Sequence, residues 1–479
     1  MYMGPEIKIL PRPGRDTFAL GAQSRTIVQS YYEDLSGRLC GRLVEKKEIL
    51  CSGIVNHWFE YVPASYDGSR PVPLVISCHA GHYYALAQVF DTCWCELSER
   101  EGFIAVFPEA TTSGCWTTAE ESRKLESNAT DFVFIRKLLD DLQERYHVDH
   151  GRIYMHGMSR GNAFVTEFAI HYGELLAGIG ESCGPSSPDI IDCSEDGLLS
   201  TVLPMPTCQM RNAYDRISPY RGYDRRTINT VNRTFWSKAN GCTRPPVLRI
   251  GSRELFAYYN GERADLLYRE AACHNHCETV SDAEDCWALF STVRRGEDGK
   301  MISTGLGFEG DRNAIALADR SEYAYVDNRR TPVGGRVLLF REVNQRKRGG
   351  FQNPMRNDNI ATPLDGVDMC VYYYAPISFV AKVFSLSVQD GVDTACLTMP
   401  DGSFVRFVRG SSAAVVNGRV RNMGQTARVL EEHLYIPIDW FAECIMGLCT
   451  AQKNGVLYIA DHQVTMTEDF SDIIREIIG

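Results

Sequence analysis

Gly157-Met-Ser159-Arg-Gly161 is a GxSxG pentapeptide. Glycines at both ends of such a run let a strand and a helix close on each other without a clashing Cβ, and they hold the central serine on a strained turn with its hydroxyl exposed. The flanking residues suit that geometry: Ile153-Tyr-Met-His156 reads as a short strand before the turn, and Phe164, Phe168 and Ala169 read as a helix face after it. A serine hydroxyl is a weak nucleophile until a base takes its proton and an acid orients the base. The chemistry on offer is acyl transfer, with Ser159 the candidate nucleophile.

On this type of turn the partners follow in the order acid, then histidine. Only His274, His276, His433 and His462 lie far enough beyond Ser159, and the last two fall in a C-terminal repeat. The base is therefore expected in Cys273-His-Asn-His-Cys277, between the strand-like Leu266-Leu-Tyr268 and a helix carrying Trp287. The same five residues also offer thiols and imidazoles to a metal. Five consecutive residues rarely wrap four donors around one ion, and no paired CxxC or HxxxH lies nearby, so no metal and no cofactor are expected. For the acid, Asp215 stands in the polar loop Arg211 to Pro219, directly after the apolar Leu203 to Met210 segment. Asp189, Asp192, Asp196 and Asp224 follow no strand so directly.

An acyl-transfer site also needs preformed donors for the oxyanion, usually two backbone N–H groups. One is expected from Arg160, the residue after the nucleophile. The other is expected from the loop His79-Ala-Gly81-His82-Tyr83-Tyr84, where Gly81 lets the backbone close on a substrate. His82 and Tyr83, with Trp116, are the candidate substrate contacts. His79 reads as a residue that hydrogen-bonds beneath the loop.

These residues must be positioned by regular elements. Pro73-Leu-Val-Ile-Ser-Cys78, Gly102-Phe-Ile-Ala-Val-Phe107 and Gly151 to His156 read as buried strands, and Phe132, Ile135, Leu138, Leu139, Leu142 and Tyr146 fall on one helix face with Asp131 at its N-terminal end. Strands alternating with helices indicate an α/β domain with a mostly parallel sheet. Its expected limits are 55–297, after an N-terminal extension (1–54) and before a connecting segment (298–365) that includes an exposed turn at Asn344 to Gly350. In the remainder, 366–479, Tyr374-Ala-Pro-Ile-Ser-Phe-Val-Ala381 returns as Tyr435-Ile-Pro-Ile-Asp-Trp-Phe-Ala442, each copy leading into a helix and a strand (Val392 to Met399; Val456 to Ala460). This describes a smaller α+β repeat domain. Ile473, Ile474, Ile477 and Ile478, behind Ser471, form a terminal helix.

Composition narrows the function classes. The 479 residues suit two or three domains, and 44% apolar with 23% charged residues is the composition of a folded globular chain. Fifty Lys and Arg against 61 Asp and Glu leave a net charge of −11, with no basic run to track a phosphate backbone, which argues against nucleic acid and anionic membrane partners. No apolar stretch is long enough to span a bilayer, and the N-terminus lacks the pattern of an export signal. Seventeen cysteines, an odd number spread from Cys40 to Cys449, read as mostly reduced thiols and a cytoplasmic setting.

In order and spacing, Pro73 to Gly81, Glu101 to Glu109, Cys115-Trp116, Asp131 to Arg136, Asp140 to Leu142, Arg145 to Asp149 and Arg152 to Gly161 resemble the polyhydroxybutyrate depolymerase and feruloyl esterase branch of the α/β-hydrolases. That resemblance spans about residues 55 to 295. It implies a carboxylic ester hydrolase of a secreted type, with Ser159 as nucleophile and Asp215 as acid. It also implies His276 as the base, because His276-Cys-Glu-Thr279 and Asp282 to Trp287 match the family's histidine loop and final helix. Two residues depart from the family pattern: Ala80 replaces the glycine usual after the loop histidine, and Arg160 replaces a small residue. Both leave the backbone donors in place and bear on substrate choice. Val416 to Val420 and Leu434 to Ala442 resemble the stalk-like domain named after the N-terminal part of copper amine oxidases, which implies envelope or glycan contact. His433 and His462 are too few for a three-imidazole copper centre.

Three functional classes follow. The first is a serine esterase acting on feruloyl, acetyl-sugar, polyester or simple esters; the others are a catalytically silent hydrolase fold used for binding and a peptidase sharing the triad. A cell-envelope or secreted location is the counterpart of the cytoplasmic expectation.

Overall fold

A computed structural model describes residues 42–51, 53–111, 114–117, 130–191, 197–215, 222–342 and 370–479. The chain divides into two compact units, one built from the described residues up to Val247 and from Phe256–Glu309, the other from Leu248–Leu255 and Gly310–Gly479.

The first unit is organised by a sheet whose strands are β1 (Arg42–Cys51), β2 (Ile54–Val62), β3 (Val72–Cys78), β4 (Ile104–Pro108), β5 (Val148–Met158), β6 (Gly178–Ser182), β7 (Thr207–Asn212), most of β9 (Glu254–Tyr259) and all of β10 (Leu266–Ala271), whereas all but the first residue of β8 (Val247–Ile250) falls in the second unit. Their order is β1-β2-β4-β3-β5-β6-β7-β10-β9. The six strands from β4 to β10 through β3, β5, β6 and β7 are parallel, and β2 runs antiparallel to β4. β3, β4, β6 and β7 are buried throughout, as strands covered on both faces must be.

The helices connecting these strands are α1 (Ala85–Asp91), α2 (Trp94–Glu101), α3 (Asp131–Arg145), α4 (Arg160–Tyr172), α5 (Arg225–Ala239) and α6 (Val280–Phe290). Strand alternation divides their work. Phe59, Tyr61, Ala105, Phe107 and Tyr154 pack in one core with Trp94 of α2 and Trp287 and Phe290 of α6. On the opposite face Trp58 meets Phe134 of α3, while Phe132 of α3 packs on Phe164 and Phe168 of α4. The α3 helix starts where its sequence dictates: the Thr130 hydroxyl accepts from the Val133 N–H and Asp131 lies in the first turn. Its C-terminal end is tied to β2 by the buried Glu60, which accepts from Trp58 Nε1 and the Tyr146 hydroxyl at 2.7 Å each and pairs with Arg145. This topology, with β2 antiparallel beside the parallel run from β4 to β10 and helices on both faces, is the α/β-hydrolase fold.

The strand and helix expectations for this unit meet their counterparts at β3, β4, β5, β10, α3 and α6, with ends shifted by a few residues. Within the expected N-terminal extension, the described residues from Arg42 onward form β1, which pairs with β2. A short hairpin, β11 (Val293–Arg295) and β12 (Met301–Ser303), follows α6.

The second unit is a duplication larger than the repeat visible in the sequence. Its first copy runs β13 (Ile315–Ala318), β14 (Tyr323–Val326), β15 (Arg329–Pro332), β16 (Leu338–Glu342), β17 (Cys370–Pro376), α7 (Ile377–Val383), β18 (Ser387–Asp390) and β19 (Thr394–Thr398). The second copy repeats that order as β20 (Phe404–Val408), β21 (Ala413–Val416), β22 (Arg419–Asn422), β23 (Arg428–Leu430), β24 (His433–Pro437), α8 (Ile438–Cys444), β25 (Cys449–Lys453) and β26 (Val456–Ala460). Left-handed turn residues recur at matching places: Arg320 and Gly410, Asn328 and Gly418, Gly334 and Gly424. Beyond residues 343–369 the spacing between copies shortens, which is why only the Tyr-x-Pro-Ile half stands out in the sequence. The expected turn at Asn344 to Gly350 lies outside the described residues.

The two copies exchange strands. β13 pairs with β26 and β19 with β20, so each five-stranded sheet draws on both copies, and β17 pairs with β24 with Tyr374 opposite Pro437 and Pro376 opposite Tyr435. The described part of the expected connecting segment is therefore not a connector: β13, β14 and β15 are strands of this unit's sheet. The chain closes with α9 (Glu468–Ile478), whose N-cap is Thr467; its hydroxyl accepts from the Phe470 N–H at 3.3 Å.

Candidate active site

Ser159 stands between β5 and α4 with φ 56° and ψ −114°, a backbone conformation that a side chain rarely adopts. Three glycines make the turn possible by letting main chains meet. A Cβ on Gly161 would lie 2.5 Å from the His79 carbonyl oxygen, one on Gly157 would lie 2.8 Å from the Asn162 nitrogen, and one on Gly184 would lie 2.6 Å from the Ser159 Cα. The Ser159 N–H donates to the Ser182 carbonyl at the end of β6, at 2.9 Å. The strained residue is thus pinned to the adjacent strand.

Ser159, Asp215 and His276 come together. The Ser159 hydroxyl donates to His276 Nε2 at 2.8 Å, and His276 Nδ1–H donates to Asp215 Oδ2 at 3.0 Å. Asp215 follows β7 and His276 follows β10, and these neighbouring parallel strands bring the two loops together. The loops are then laced: the Tyr214 N–H donates to the His274 carbonyl at 3.0 Å, and Asn212 Nδ2 donates to the carbonyls of Asn275 and Cys277 at 2.5 and 2.7 Å. Asn212 is a positioning residue that sequence reasoning missed; its signal was its place at the strand end just before Asp215.

His274 and Cys273 are exposed, and Cys277 Sγ lies 3.9 Å from His274 Nδ1. Among the described residues, the tract by itself does not gather three ligand atoms for a metal. Of the other acids, Asp189 accepts from the Tyr223 hydroxyl and Asp224 caps α5 through the Thr227 N–H. Asp192 and Asp196 lie outside the described residues, as do residues 216–221 of the Asp215 loop.

The Gly81 loop reaches the turn that carries Ser159. A Cβ on Gly81 would stand 3.0 Å from Arg160 Cβ, so the backbones of the two expected oxyanion donors approach closely. Arg160 opens α4, where the helix dipole favours developing negative charge, and its Nε donates to the Trp116 carbonyl at 2.8 Å. His82 is exposed with φ 56°, and Tyr83 is half-buried, stacked on Tyr84, with its hydroxyl donated to Asp91.

Trp116 corrects an expectation. It is 0% exposed, its indole N–H donates to the His79 carbonyl at 2.8 Å and its ring stacks on Phe164, so it supports the loop from beneath and offers no surface to a substrate. His79 shares that layer: Nδ1–H donates to the Ala80 carbonyl and Nε2 accepts the Ala110 N–H. Burial lowers its pKa, and one donor and one acceptor role together describe a neutral ring. Asp131 fastens the same region by accepting the N–H and hydroxyl groups of Thr111 and Thr117 at 2.7 to 2.8 Å.

A buried polar chain runs behind the site. Trp94 Nε1–H donates to His156 Nδ1, which leaves the proton on Nε2, 3.0 Å from Ser182 Oγ; Ser182 donates to Asp282, which pairs with Arg269 at 2.6 Å. Burial pushes the His156 pKa down to about 4. Glu278, two residues past His276, sits 3.2 Å from His156 Nε2, and burial, then the Asp282 charge, hold its pKa well above the usual carboxylate range. The only hint of this layer in the sequence was a polar residue, His156, within an apolar strand.

The chain is similar to curated acetylxylan and feruloyl esterases. Probable acetylxylan esterase A of Neosartorya fischeri is 26% identical over 153 residues, covering 29% of this chain and 41% of that protein. Acetylxylan esterase A of Emericella nidulans is 26% identical over 156 residues, 30% of this chain and 51% of that protein. Feruloyl esterase B of Piromyces equi is 23% identical over 193 residues, 38% of this chain and 35% of that protein. The chain thus spans about half the length, or less, of the curated relatives it matches. Among solved structures, an acetyl xylan esterase from Aspergillus awamori aligns with a TM-score of 0.42 at 16% identity, over 52% of this chain and 99% of that one. No family model matches the chain.

Proposed function

We propose that this protein is a serine carboxylic ester hydrolase working through an acyl-enzyme. The observation that carries the reading is the relay from the strained Ser159 hydroxyl through His276 to Asp215, at 2.8 and 3.0 Å. In the first half-reaction Ser159 Oγ attacks the ester carbonyl carbon while its proton passes to His276 Nε2. Asp215 stabilises the imidazolium through Nδ1–H. The oxyanion is held by the backbone N–H groups of Arg160 and Gly81. Collapse expels the alcohol, which takes the proton from Nε2 and leaves acyl-Ser159. Water attacks that ester with His276 again as base, releasing the acid and restoring the serine.

The substrate class that the similarities support is an ester on a sugar, acetyl or feruloyl; polyester and simple esters fit the same machinery. Ser159→Ala is expected to abolish hydrolysis of p-nitrophenyl acetate with its melting curve unchanged, and a fluorophosphonate probe is expected to label Ser159. Full turnover in that variant would overturn the mechanism. No labelling of the wild type, with retained glycan binding, would replace it by a silent binding module. A panel of the four ester classes identifies the substrate. The second unit, given its stalk-like sequence, serves in this reading as a docking module, which co-sedimentation of the full chain with insoluble glycan tests.

A further inference from the structure

Cys183 takes no part in the proposed hydrolysis, yet its thiol is buried beside the relay. It follows β6 in the left-handed region, with φ 49°, and is 1% exposed; the next residue, Gly184, packs its backbone on Ser159. Cys183 Sγ, a carboxylate oxygen of Asp215 and a ring nitrogen of His276 all lie within 4.8 Å of one another.

We propose that Cys183, Asp215 and His276 bind a divalent cation of the zinc type, and that its binding silences the hydrolase. One thiol, one imidazole and one carboxylate make a mixed donor set that suits a borderline-soft ion. Metal–ligand distances of about 2.0 to 2.3 Å require tetrahedral ligands to stand roughly 3.3 to 3.7 Å apart, so side chains within 4.8 Å need move by about 1 Å at most. The donors come from three strand ends, after β6, β7 and β10, already tied together. Asn212 Nδ2 donates to Cys183 Sγ at 3.1 Å as well as to the Asn275 and Cys277 carbonyls beside His276. Such supporting hydrogen bonds orient ligands before an ion arrives.

Coordination displaces the thiol proton to solvent and takes one lone pair each from the imidazole and the carboxylate; water completes the shell. Both ring nitrogens already serve the relay, Nε2 with Ser159 and Nδ1 with Asp215. Whichever nitrogen the ion takes, one link of the relay opens.

The binding stands apart from the proposed function, and only its inhibitory consequence rests on it. The experiment therefore has two readouts on the full chain after treatment with a chelator. Titration with Co²⁺ is expected to give a thiolate-to-cobalt charge-transfer band in the near ultraviolet. The band is expected to vanish in Cys183→Ala, with Cys183→Ser as the near-isosteric second variant, to need about tenfold or more cobalt in His276→Ala, and to persist in His274→Ala. An unchanged titration in both Cys183 variants would overturn the site. Zn²⁺ is also expected to inhibit turnover of p-nitrophenyl acetate reversibly, with Cys183→Ala needing at least about tenfold more zinc; equal sensitivity would overturn the inhibition. Were there no turnover to inhibit, the proposed function would fail and the cobalt titration would still decide the site.

Discussion

A single methyl group added at Gly161 tests how far the proposed chemistry depends on close approach of main chains. In Gly161→Ala the new Cβ falls 2.5 Å from the His79 carbonyl oxygen and nearer still to that of Cys78, whereas ordinary contact begins at 3.4 Å. Both obstacles are backbone, so no rotamer relieves them. The start of α4 and the end of β3 must part by roughly 1 Å. That movement separates Ser159 and the Arg160 N–H from the Gly81 loop. A misplacement of this size costs roughly 100-fold in rate, or about 2.7 kcal/mol of transition-state stabilisation. Overpacking is expected to cost about 1 to 3 kcal/mol of stability as well, which leaves the protein folded at 25 °C. Gly299→Ala is the control: its Cβ meets nothing within 4 Å, so only the strain of φ +78° remains, about 1 to 2 kcal/mol with kcat/KM unchanged. The assay pairs kcat/KM on p-nitrophenyl acetate with urea denaturation of the three proteins. If Gly161→Ala kept kcat/KM within about threefold of wild type, the dependence of rate on this close approach would be refuted.

Three further outcomes are expected. His276→Ala lowers kcat by several orders of magnitude while His274→Ala costs about tenfold or less, since only His276 contacts both Ser159 and Asp215; steady-state kinetics on the two variants checks this. Asp131→Asn puts an amide NH₂ against Thr donors that now face a carboxylate, so chemical denaturation is expected to show a loss of about 2 to 3 kcal/mol. The third concerns pH. His156 is neutral in the native state with its pKa pushed down to about 4 by burial, so the unfolded chain binds the extra proton first as pH falls. Its contribution is complete above the ordinary histidine pKa, about 6.5, and declines steadily toward pH 4. The melting temperature of wild type should therefore fall more steeply over that window than that of His156→Gln; parallel slopes would refute the linkage.

Much of this protein was determined by its sequence alone. The glycines around Ser159, the apolar strand before it and the helix face after it specify a tight strand-to-helix turn, because only glycine admits such approach of main chains. Strands alternating with helices specify an α/β sheet. These are local properties, decided by residues within a few turns of one another. Which of two histidines separated by Asn275 turns inward was not local: it follows from the parallel pairing of β7 with β10 and from the grip of Asn212 on the loop carbonyls. Trp116 looked like a substrate contact because an aromatic beside a site has the same residue type whether it faces a ligand or supports a loop, and only packing distinguishes them. The repeat in the second unit was visible where its copies keep one spacing, whereas the exchange of β13 and β20 between copies is a matter of pairing at long range. Cys183 lies some thirty residues from Asp215 and more than ninety from His276 in the chain; its place beside them exists only because the ends of β6, β7 and β10 lie side by side, a proximity created by the sheet and not by the order of residues along the chain.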